Sequence, residues 1–326
     1  MEIKAYYKKE NDITQVAIFK DGKFSQNYFI KDDSIVNDLI VGKVIRIDKQ
    51  IGIFVDIGRS KNAILKYNNK LKIGDYVLVK VTRNEVDDKG AIVSEDVSIT
   101  GSYCIVSKNE EIKFSSKLTE EDKIRLFKIK PRENTGIIFR TNSKFATIAE
   151  IENEIDTLNS KLNAIINEAR NTQKIKTLYK QTIIEFIKTL VTIDSEIINS
   201  FDPIKKEIES INNKEVFVDG IRLVIEKTEA MTTIDVNKHK YVSKYYDIDD
   251  VNLDINKKAL IEIMNQIKLR NIGGLIAIDL INLIKKESIE NLISFLIDLI
   301  QNDDIKMEFE FYPKSNVIIL IRKKFF

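Results

Sequence analysis

Apolar and polar positions in the first hundred residues alternate in short runs that predict β-strands. Residues 1–35 contain the runs KAYYKK, TQVAIFKDGKF and QNYFIK, with a turn at Asp21-Gly22. Residues 40–98 contain several more short runs, and in one of them Val77, Val79 and Val81 share a face. About five short strands within roughly sixty residues predict a small barrel of the OB type.

The spacing becomes that of helices after residue 140. A strand run, TGIIFRT, precedes a helix whose start is marked by Thr147 and Glu150, the spacing of a capping box. Further helices are predicted over residues 176–199 and from Pro203 to about residue 212, before a strand over residues 216–230. The first of these helices carries an apolar stripe at steps of three and four, formed by Ile148, Ile151, Ile155, Leu158, Leu162 and Ile165.

The last hundred residues predict a strand, a helix and a second strand. The strand around Asp235 precedes a helix for which Asn256 is the expected N-cap, and this helix stops at Gly273-Gly274. The strand around Asp279 follows at once. A crossover of this kind commonly makes the two strands neighbours in one sheet.

The composition limits which binding partners and catalytic mechanisms are possible. The chain has 326 residues and a formal net charge of +2, so any nucleic-acid contact must come from local clusters of cations. The sequence shows neither a signal peptide nor an apolar run of the ~18 residues that a membrane span needs. It therefore predicts a cytoplasmic protein that does not associate with a membrane. The single cysteine, Cys104, and the single histidine, His239, exclude an internal disulfide, a Cys/His zinc site and catalysis by a histidine pair. Metal-activated water remains as a route to hydrolysis.

Two aspartates lie in apolar strand sequences. Asp235 shares a strand face with Thr233 and Asn237, so these groups and Asp279 would converge if the two strands are adjacent. Isolated buried carboxylates are costly and close ones repel, so either a basic partner or a cation should lie between them. Hard oxygen ligands in small number favour Mg²⁺, with Mn²⁺ as the alternative, and these ions predict a phosphodiester substrate.

A structural explanation of the same aspartates stays open. Each carboxylate would then cap a strand end or pair with Lys240 or Arg270. The cations of the predicted barrel also have two explanations: a surface that holds single-stranded nucleic acid, with Phe54 and Tyr67 for stacking, or an ordinary solvated face. These cations are Lys43, Arg46, Lys49, Lys61, Lys66, Lys70, Lys72, Lys80, Arg83 and Lys89.

Several stretches resemble the RNase E/G family of bacterial endoribonucleases. LVIEKTEAMTTIDVNKHKY resembles its catalytic signature, and NKKALIEIMNQIKLRNIGGLIAIDL resembles its second signature. VGKVIRIDKQIGIFVDIGRSKNAIL resembles its OB-fold RNA-binding domain, and DDKGAIVSEDVSITGSY with TGIIFRT resembles its five-prime sensor. The matches occur in the family's order along nearly the whole chain.

The resemblance implies an α+β, multidomain fold. In it, an OB-fold barrel and a five-prime-sensor-like α/β region precede a DNase I-like α/β catalytic domain, with a reduced RNase H-like remnant. The implied domains are an N-terminal β-meander that represents this remnant (1–36), the OB fold (37–98), the sensor-like region (99–185), a helical connector (186–218) and the catalytic domain (219–326).

The resemblance also implies roles for particular residues. Asp235 and Asp279 match the pair that holds the catalytic Mg²⁺, and Asn237 matches the residue that helps to orient it. The positions that match the five-prime phosphate pocket are Arg140, Thr141, Gly101 and Ile105, and those that match or flank the RNA-contacting barrel surface are Phe54, Lys89, Lys43 and Arg46.

Some features depart from the family's pattern. The CPxC zinc link and the small domain that follows it are absent, so neither zinc nor a zinc-linked dimer is expected and the oligomeric state stays open. Ile57 and Ile64 occupy two aromatic positions of the barrel surface, and Asn282 stands where an aspartate is usual. The expected function is a Mg²⁺-dependent endoribonuclease that cuts single-stranded AU-rich RNA and favours a five-prime monophosphate, in RNA processing and decay. The alternative is an RNA-binding protein of the same family that does not cut.

Overall fold

The computed structural model describes residues 2–323 except 69, 87, 88, 131, 193, 243–246, 302–306 and 313. The chain forms two compact units, a barrel unit of residues 3–5 and 31–197 and a sheet unit of residues 1–2, 6–30 and 198–326. Both contain helices and strands, which confirms a mixed α+β, multidomain architecture. None of the helices in the described ranges has the length and apolarity to cross a membrane.

The barrel unit is built around a sheet that closes on itself. Its strands follow the order β13-β4-β5-β6-β8-β7, and β7 also pairs with β4. Alternate residues such as Val44, Val55 and Val79 point inwards and are fully buried. The bounds are β4 Leu39–Asp48, β5 Gly52–Asp56, β6 Ala63–Leu65, β7 Tyr76–Arg83, β8 Ile92–Ser94 and β13 Lys176–Tyr179.

A second sheet of the barrel unit packs against a long helix. The sheet has the order β11-β12-β10-β9. Its helix, α2, is capped by the predicted Thr147 and Glu150 box, and the buried part of its stripe includes Ile151 and Leu162. The bounds are β9 Ser98–Thr100, β10 Cys104–Ser107, β11 Ile112–Phe114, α1 Glu120–Leu126, β12 Gly136–Phe139, α2 Ile148–Arg170 and α3 Ile183–Leu190.

The predicted helix over residues 176–199 is wrong. Of the described residues in this range, only Ile183–Leu190 are helical, with their own capping box at Thr182 and Glu185. The residues before it form β13, because Lys176 to Tyr179 pair with β4. The spacing of nearby apolar residues cannot reveal a partner so far away along the chain. Residues after it form β14 (Glu196–Ile198).

The N-terminal strands form the meander that the sequence predicts. They are β1 (Ile3–Glu10), β2 (Ile13–Lys20) and β3 (Lys23–Lys31), and β14 extends their sheet beside β1. In the sheet unit, Tyr6 and Phe19 pack against Ile204, which lies in a 3-10 turn (Asp202–Ile204) before α4 (Lys205–Ser210).

A six-stranded sheet dominates the sheet unit. Its order is β15-β16-β17-β18-β20-β19, in which β17 and β18 run parallel and the other neighbours run antiparallel. The predicted strand over residues 216–230 is a hairpin instead, because Asp219 and Gly220 adopt positive φ and turn the chain. The bounds are β15 Glu215–Val218, β16 Ile221–Lys227, β17 Met231–Lys238, β18 Gly274–Asp279, β19 Met307–Tyr312 and β20 Val317–Arg322.

Two helices, α5 (Ile248–Leu269) and α6 (Lys286–Gln301), cover one face of this sheet. The prediction of Asn256 as an N-cap is wrong, because α5 begins eight residues earlier and Asp247 caps it through the N–H groups of residues 249 and 250. We call the other side of the sheet the open face. Its residues alternate with the buried ones, so β17 presents Asp235 there while Ile234 and Val236 face the helices.

Candidate functional site

The two aspartates lie next to each other. Strands β17 and β18 are parallel neighbours, and their register pairs Asp235 with Asp279 directly. Adjacent strands lie about 4.8 Å apart, and paired residues of parallel strands point to the same face. Both carboxylates therefore stand side by side on the open face, within reach of one ion.

The surroundings of the pair differ from the expectation. Both aspartates are exposed, whereas their apolar neighbours Ile234 and Ile278 are buried against α5 and α6. The expectation of carboxylates enclosed by apolar groups is therefore wrong. The apolar letters around each aspartate belong to the other side of an amphipathic strand.

Among the residues that the structure describes, neither carboxylate has the basic partner that the structural explanation requires. Arg270 donates to the side chain of Gln266 and to the carbonyl of Asn213 instead. Within the described parts of the chain, the hydrogen bond formed by the pair comes from the Asn237 amide, whose Nδ2 donates to Oδ2 of Asp235 at 2.7 Å. This bond orients the Asp235 carboxylate from two residues further along the same face.

The flanks of the pair are apolar along one row of the sheet. Register places Val224 beside Asp235 and Val317 beside Asp279, with Glu215 and Tyr312 at the two ends of the row. Arg222, which register places opposite Asn237, is paired with Glu215 at 2.8 Å. Two facing carboxylates therefore stand between aliphatic neighbours.

The donor set fits a hard divalent cation. Two carboxylates with a nearby amide oxygen leave most coordination positions of a Mg²⁺ ion to water or to phosphate oxygens, as that ion prefers. Among the described residues there is no cluster of three or more acidic, histidine or cysteine side chains that could hold a metal. A metal ion at this pair would therefore need oxygens from a substrate or from solvent to complete its coordination.

A buried amide holds the chain that follows Asp279. Asn256 lies in the middle of α5 with no exposed surface. Its Nδ2 donates to the carbonyl of Ile281 at 2.8 Å, and its Oδ1 accepts the N–H of Ile281 at 3.0 Å. Because Ile281 is two residues beyond Asp279, this two-point contact fixes the path of the backbone where it leaves the sheet.

Other polar groups extend this contact into a network, which we call the loop clamp. The Asp249 carboxylate accepts the N–H groups of Ile284 at 2.7 Å and Lys285 at 3.3 Å. Burial alone would raise the pKa of Asp249, but hydrogen bonds from Ser288 and from these two N–H groups hold it below its usual value. The Asn316 side chain accepts the N–H of Leu283 at 3.1 Å.

The clamp was missed at the sequence level. Asn282, which replaces a usual aspartate, takes part in it, since its side-chain oxygen accepts from Asn316 and its carbonyl accepts from Asn252 at 3.0 Å. The one sign of the clamp in the local sequence is Asn256 itself, a polar residue at a position of the helix where an apolar residue is expected. Asn256 was therefore interpreted as a helix start.

One row of the barrel surface combines cations and apolar side chains. Register pairs Arg46 with Phe54, Phe54 with Ile64, Ile64 with Ile92, and Ile92 with Arg83. The Arg46 guanidinium lies 3.9 Å from the centre of the Phe54 ring. This pair places a guanidinium on an aromatic ring, and cations beside aromatic rings are the combination with which proteins bind single-stranded nucleic acid.

Other barrel residues are distributed differently. Lys43 lies over the Tyr76 ring at 5.7 Å, and Lys89 is exposed. Lys80 is half-buried rather than exposed, and its Nζ donates to the Ser98 hydroxyl at 2.9 Å. This burial lowers the pKa of Lys80 to about 8. Ile57 is buried in the barrel interior, so the expectation that it is a surface position is wrong.

The four residues assigned to a phosphate pocket lie around the second sheet of the barrel unit. Arg140 follows β12 and donates through Nη1 to the carbonyls of Gly101 at 2.6 Å and Thr189 at 2.5 Å. Thr141 comes next, with its hydroxyl 2.9 Å from that of Ser115. Ile105 pairs on β10 opposite Ile138 of β12. Arg140 and Gly101 are thus in direct contact.

A helix carboxylate organises the turn beside them. Glu154 of α2 accepts the successive N–H groups of Ser102, Tyr103 and Cys104 at 2.7, 2.8 and 3.0 Å. Burial, with the adjacent Glu154 carboxylate, raises the pKa of the Cys104 thiol well above its usual value, as suits a thiol that packs as an apolar group. The turn that carries Gly101 is therefore fixed to α2.

Comparisons with known proteins place the chain in one family. The model of the Ribonuclease E/G family matches residues 98–199 and 183–325. Ribonuclease G of Haemophilus influenzae is 22% identical over 380 residues, which covers 95% of this chain and 77% of the relative. Ribonuclease G of Escherichia coli strain K12 is 22% identical over 382 residues, with 95% and 78% covered.

A further relative matches the chain over a smaller part of its own length. Ribonuclease E of Buchnera aphidicola subsp. Schizaphis graminum is 21% identical over 354 residues, which covers 88% of this chain and 36% of the relative. The chain belongs to the ribonuclease E/G family. The expected class of enzyme, a ribonuclease, is confirmed at this level.

Proposed function

We propose that the protein is a Mg²⁺-dependent endoribonuclease that cuts single-stranded, AU-rich RNA during RNA processing or decay in the cytoplasm. The observation that carries the proposal is the register of β17 and β18, which sets Asp235 directly beside Asp279 on an open face. Family membership supplies the reaction class.

The chain's own residues hold and orient the reacting groups. Asp235 and Asp279 would bind the ion, and Asn237 would keep the Asp235 carboxylate turned towards it through the bond at 2.7 Å. A bound Mg²⁺ supplies an activated water and positive charge beside the attacked phosphate. The loop clamp keeps Asp279 in place, and the product would retain a five-prime phosphate.

Two surfaces of the barrel unit would bind the rest of the substrate. The barrel corresponds in this proposal to an OB fold, where Arg46, Lys43 and Lys89 contact the RNA backbone and Phe54 stacks on a base. Arg140 and Thr141, with the turn at Gly101, would bind a five-prime monophosphate, because a guanidinium and a hydroxyl are complementary to its oxygens.

Cleavage of a defined RNA tests the proposal. A three-prime-labelled AU-rich single strand with a five-prime monophosphate is incubated with the full chain, in Mg²⁺ and then in chelator. We expect cleavage in Mg²⁺ alone. Asp279→Asn should abolish cleavage and preserve RNA binding, whereas Glu226→Gln, the same change of charge at an exposed position of the open face, should preserve both.

The outcomes separate the two candidate functions. Bound but intact RNA with and without Mg²⁺ would favour the RNA-binding alternative and refute the enzyme. For the phosphate pocket, the same RNA with a five-prime hydroxyl is the comparison. Equal cleavage rates on both ends, unchanged in Thr141→Val, would refute the proposed sensing by Arg140 and Thr141.

A further inference from the structure

An aromatic ladder runs from the core of the barrel unit to its surface. Phe139 is buried, and its ring stacks on Phe114 with centroids 5.3 Å apart and an interplanar angle of 20°. The Phe114 ring stacks in turn on Phe127, at 6.1 Å and 20°. Phe127 is 71% exposed, so the ladder ends in a ring that is open to solvent.

The end of the ladder forms one wall of a surface groove of about 580 Å³. Ile124 is 66% exposed and lies three residues before Phe127, on the same side of the chain. Ile124 and Phe127 together present exposed apolar surface beside a stacked ring. The groove is lined by Phe114, Glu120, Lys123, Ile124, Phe127 and Lys128.

The charge at the rim indicates the chemistry of the occupant. Lys123 and Lys128 flank the exposed ring, and one carboxylate, Glu120, pairs with Lys123 at 2.6 Å. The groove therefore offers an aromatic face whose rim carries two lysines and one carboxylate, an excess of one positive charge. Single-stranded nucleic acid is complementary to both features, since its bases stack on rings and its phosphates bind lysines.

The ladder is also joined to the candidate phosphate pocket. Phe114 pairs with Phe139 across β11 and β12, and the next residue, Ser115, donates its N–H to the carbonyl of Phe139 at 2.9 Å. The Ser115 hydroxyl lies 2.9 Å from that of Thr141. An RNA whose five-prime end is bound at Thr141 would therefore have its first nucleotides near the groove.

We propose that Phe127, supported by Phe114, is a stacking site for a base near the five-prime end of single-stranded RNA. The inference rests on the proposed function, because it assumes that the substrate is RNA. The base would extend the ladder by one ring, and Lys128 would contact an adjacent phosphate. The site takes any base, since every base has a ring face.

Fluorescence of a base analogue tests the site. Single-stranded RNAs with a five-prime monophosphate carry 2-aminopurine at one of the first four nucleotides and are titrated with the full chain in chelator. We expect quenching at one of these positions on binding. Phe127→Leu should remove the quenching and weaken binding roughly tenfold, the usual effect of losing one stacked base, whereas Phe127→Tyr should preserve both.

An abasic RNA completes the test. Removal of the quenched base should weaken binding to the unaltered protein as much as Phe127→Leu does, and the two changes together should weaken it no further. Equal affinity and quenching in Phe127→Leu and the unaltered protein, while RNA still binds, would refute the stacking site alone and leave the groove to a protein partner. If the unaltered protein does not bind RNA, the proposed function itself fails.

Discussion

The loop clamp predicts that one buried amide controls both stability and the placement of Asp279. The perturbation is Asn256→Ala, which removes the donor and the acceptor that Ile281 uses, at 2.8 and 3.0 Å. Asn265→Ala on the same helix is the matched control, because its side chain is only half-buried and makes one long contact to Glu262, at 3.5 Å.

The magnitude follows from the groups that lose their partners. Asn256 is fully buried, so its removal leaves the N–H and the carbonyl of Ile281 without the bonds they form now. A buried group left unpaired costs about 1–3 kcal/mol, so the two groups together should lower the free energy of unfolding by roughly 2–6 kcal/mol. A displacement of the reacting groups by about 1 Å can lower a rate a hundredfold, so cleavage should fall by about 10- to 100-fold.

Two assays are required. Urea unfolding followed by circular dichroism gives the stability change, because the chain has no tryptophan to report it. Cleavage rates measured across Mg²⁺ concentrations, under conditions where both proteins are folded, give the positioning effect, which should include a higher Mg²⁺ requirement. The reasoning is refuted if Asn256→Ala loses stability but keeps the unaltered rate and Mg²⁺ dependence, or if Asn265→Ala has equal effects.

Three further predictions concern the barrel unit. Burial raises the pKa of Asp38 to about 6 in the folded protein, above its unfolded value of 3.8. The free energy of unfolding should therefore fall by about 2 kcal/mol as the pH rises from 3.8 to about 6. Urea unfolding at pH 4.5 and 7 should show that Asp38→Asn removes this fall, and an unchanged pH dependence would contradict it. Glu154→Gln places an amide donor against the N–H groups of residues 102–104 and should cost about 1–3 kcal/mol in thermal or urea unfolding. An equal cost for Glu152→Gln, a half-buried position of the same helix that does not bond these N–H groups, would contradict it. Arg46→Gln should weaken RNA binding and lower the salt dependence of affinity by about one unit of slope, and an unchanged slope would exclude Arg46 from contact with phosphate.

Local patterns in the sequence were sufficient for features that local forces determine. The capping box at Thr147 and Glu150 and the stripe of α2 were predicted because a helix is stabilised by groups three and four residues apart. The parallel pairing of β17 with β18 was predicted because a helical crossover of this length commonly joins neighbouring strands.

Features that depend on distant partners were not predictable in this way. Asn256 bonds to Ile281, 25 residues further along the chain, so its sequence context showed only a polar residue before apolar ones. Residues 176–179 form a strand because β4 is available to pair with them. The exposure of both aspartates could not be inferred either, because a strand with one covered face reads as apolar around an outward carboxylate.

The two aspartates are held in position by different means, and this difference has a measurable consequence. Asp235 lies inside β17, between β16 and β18, whereas Asp279 is the last residue of β18 and the chain beyond it depends on the loop clamp. Loss of Asn256 should therefore loosen one side of the site only. Amide hydrogen exchange should become fast at Ile281 and stay slow in the interior of β17, because the ladder that surrounds Asp235 does not use the clamp.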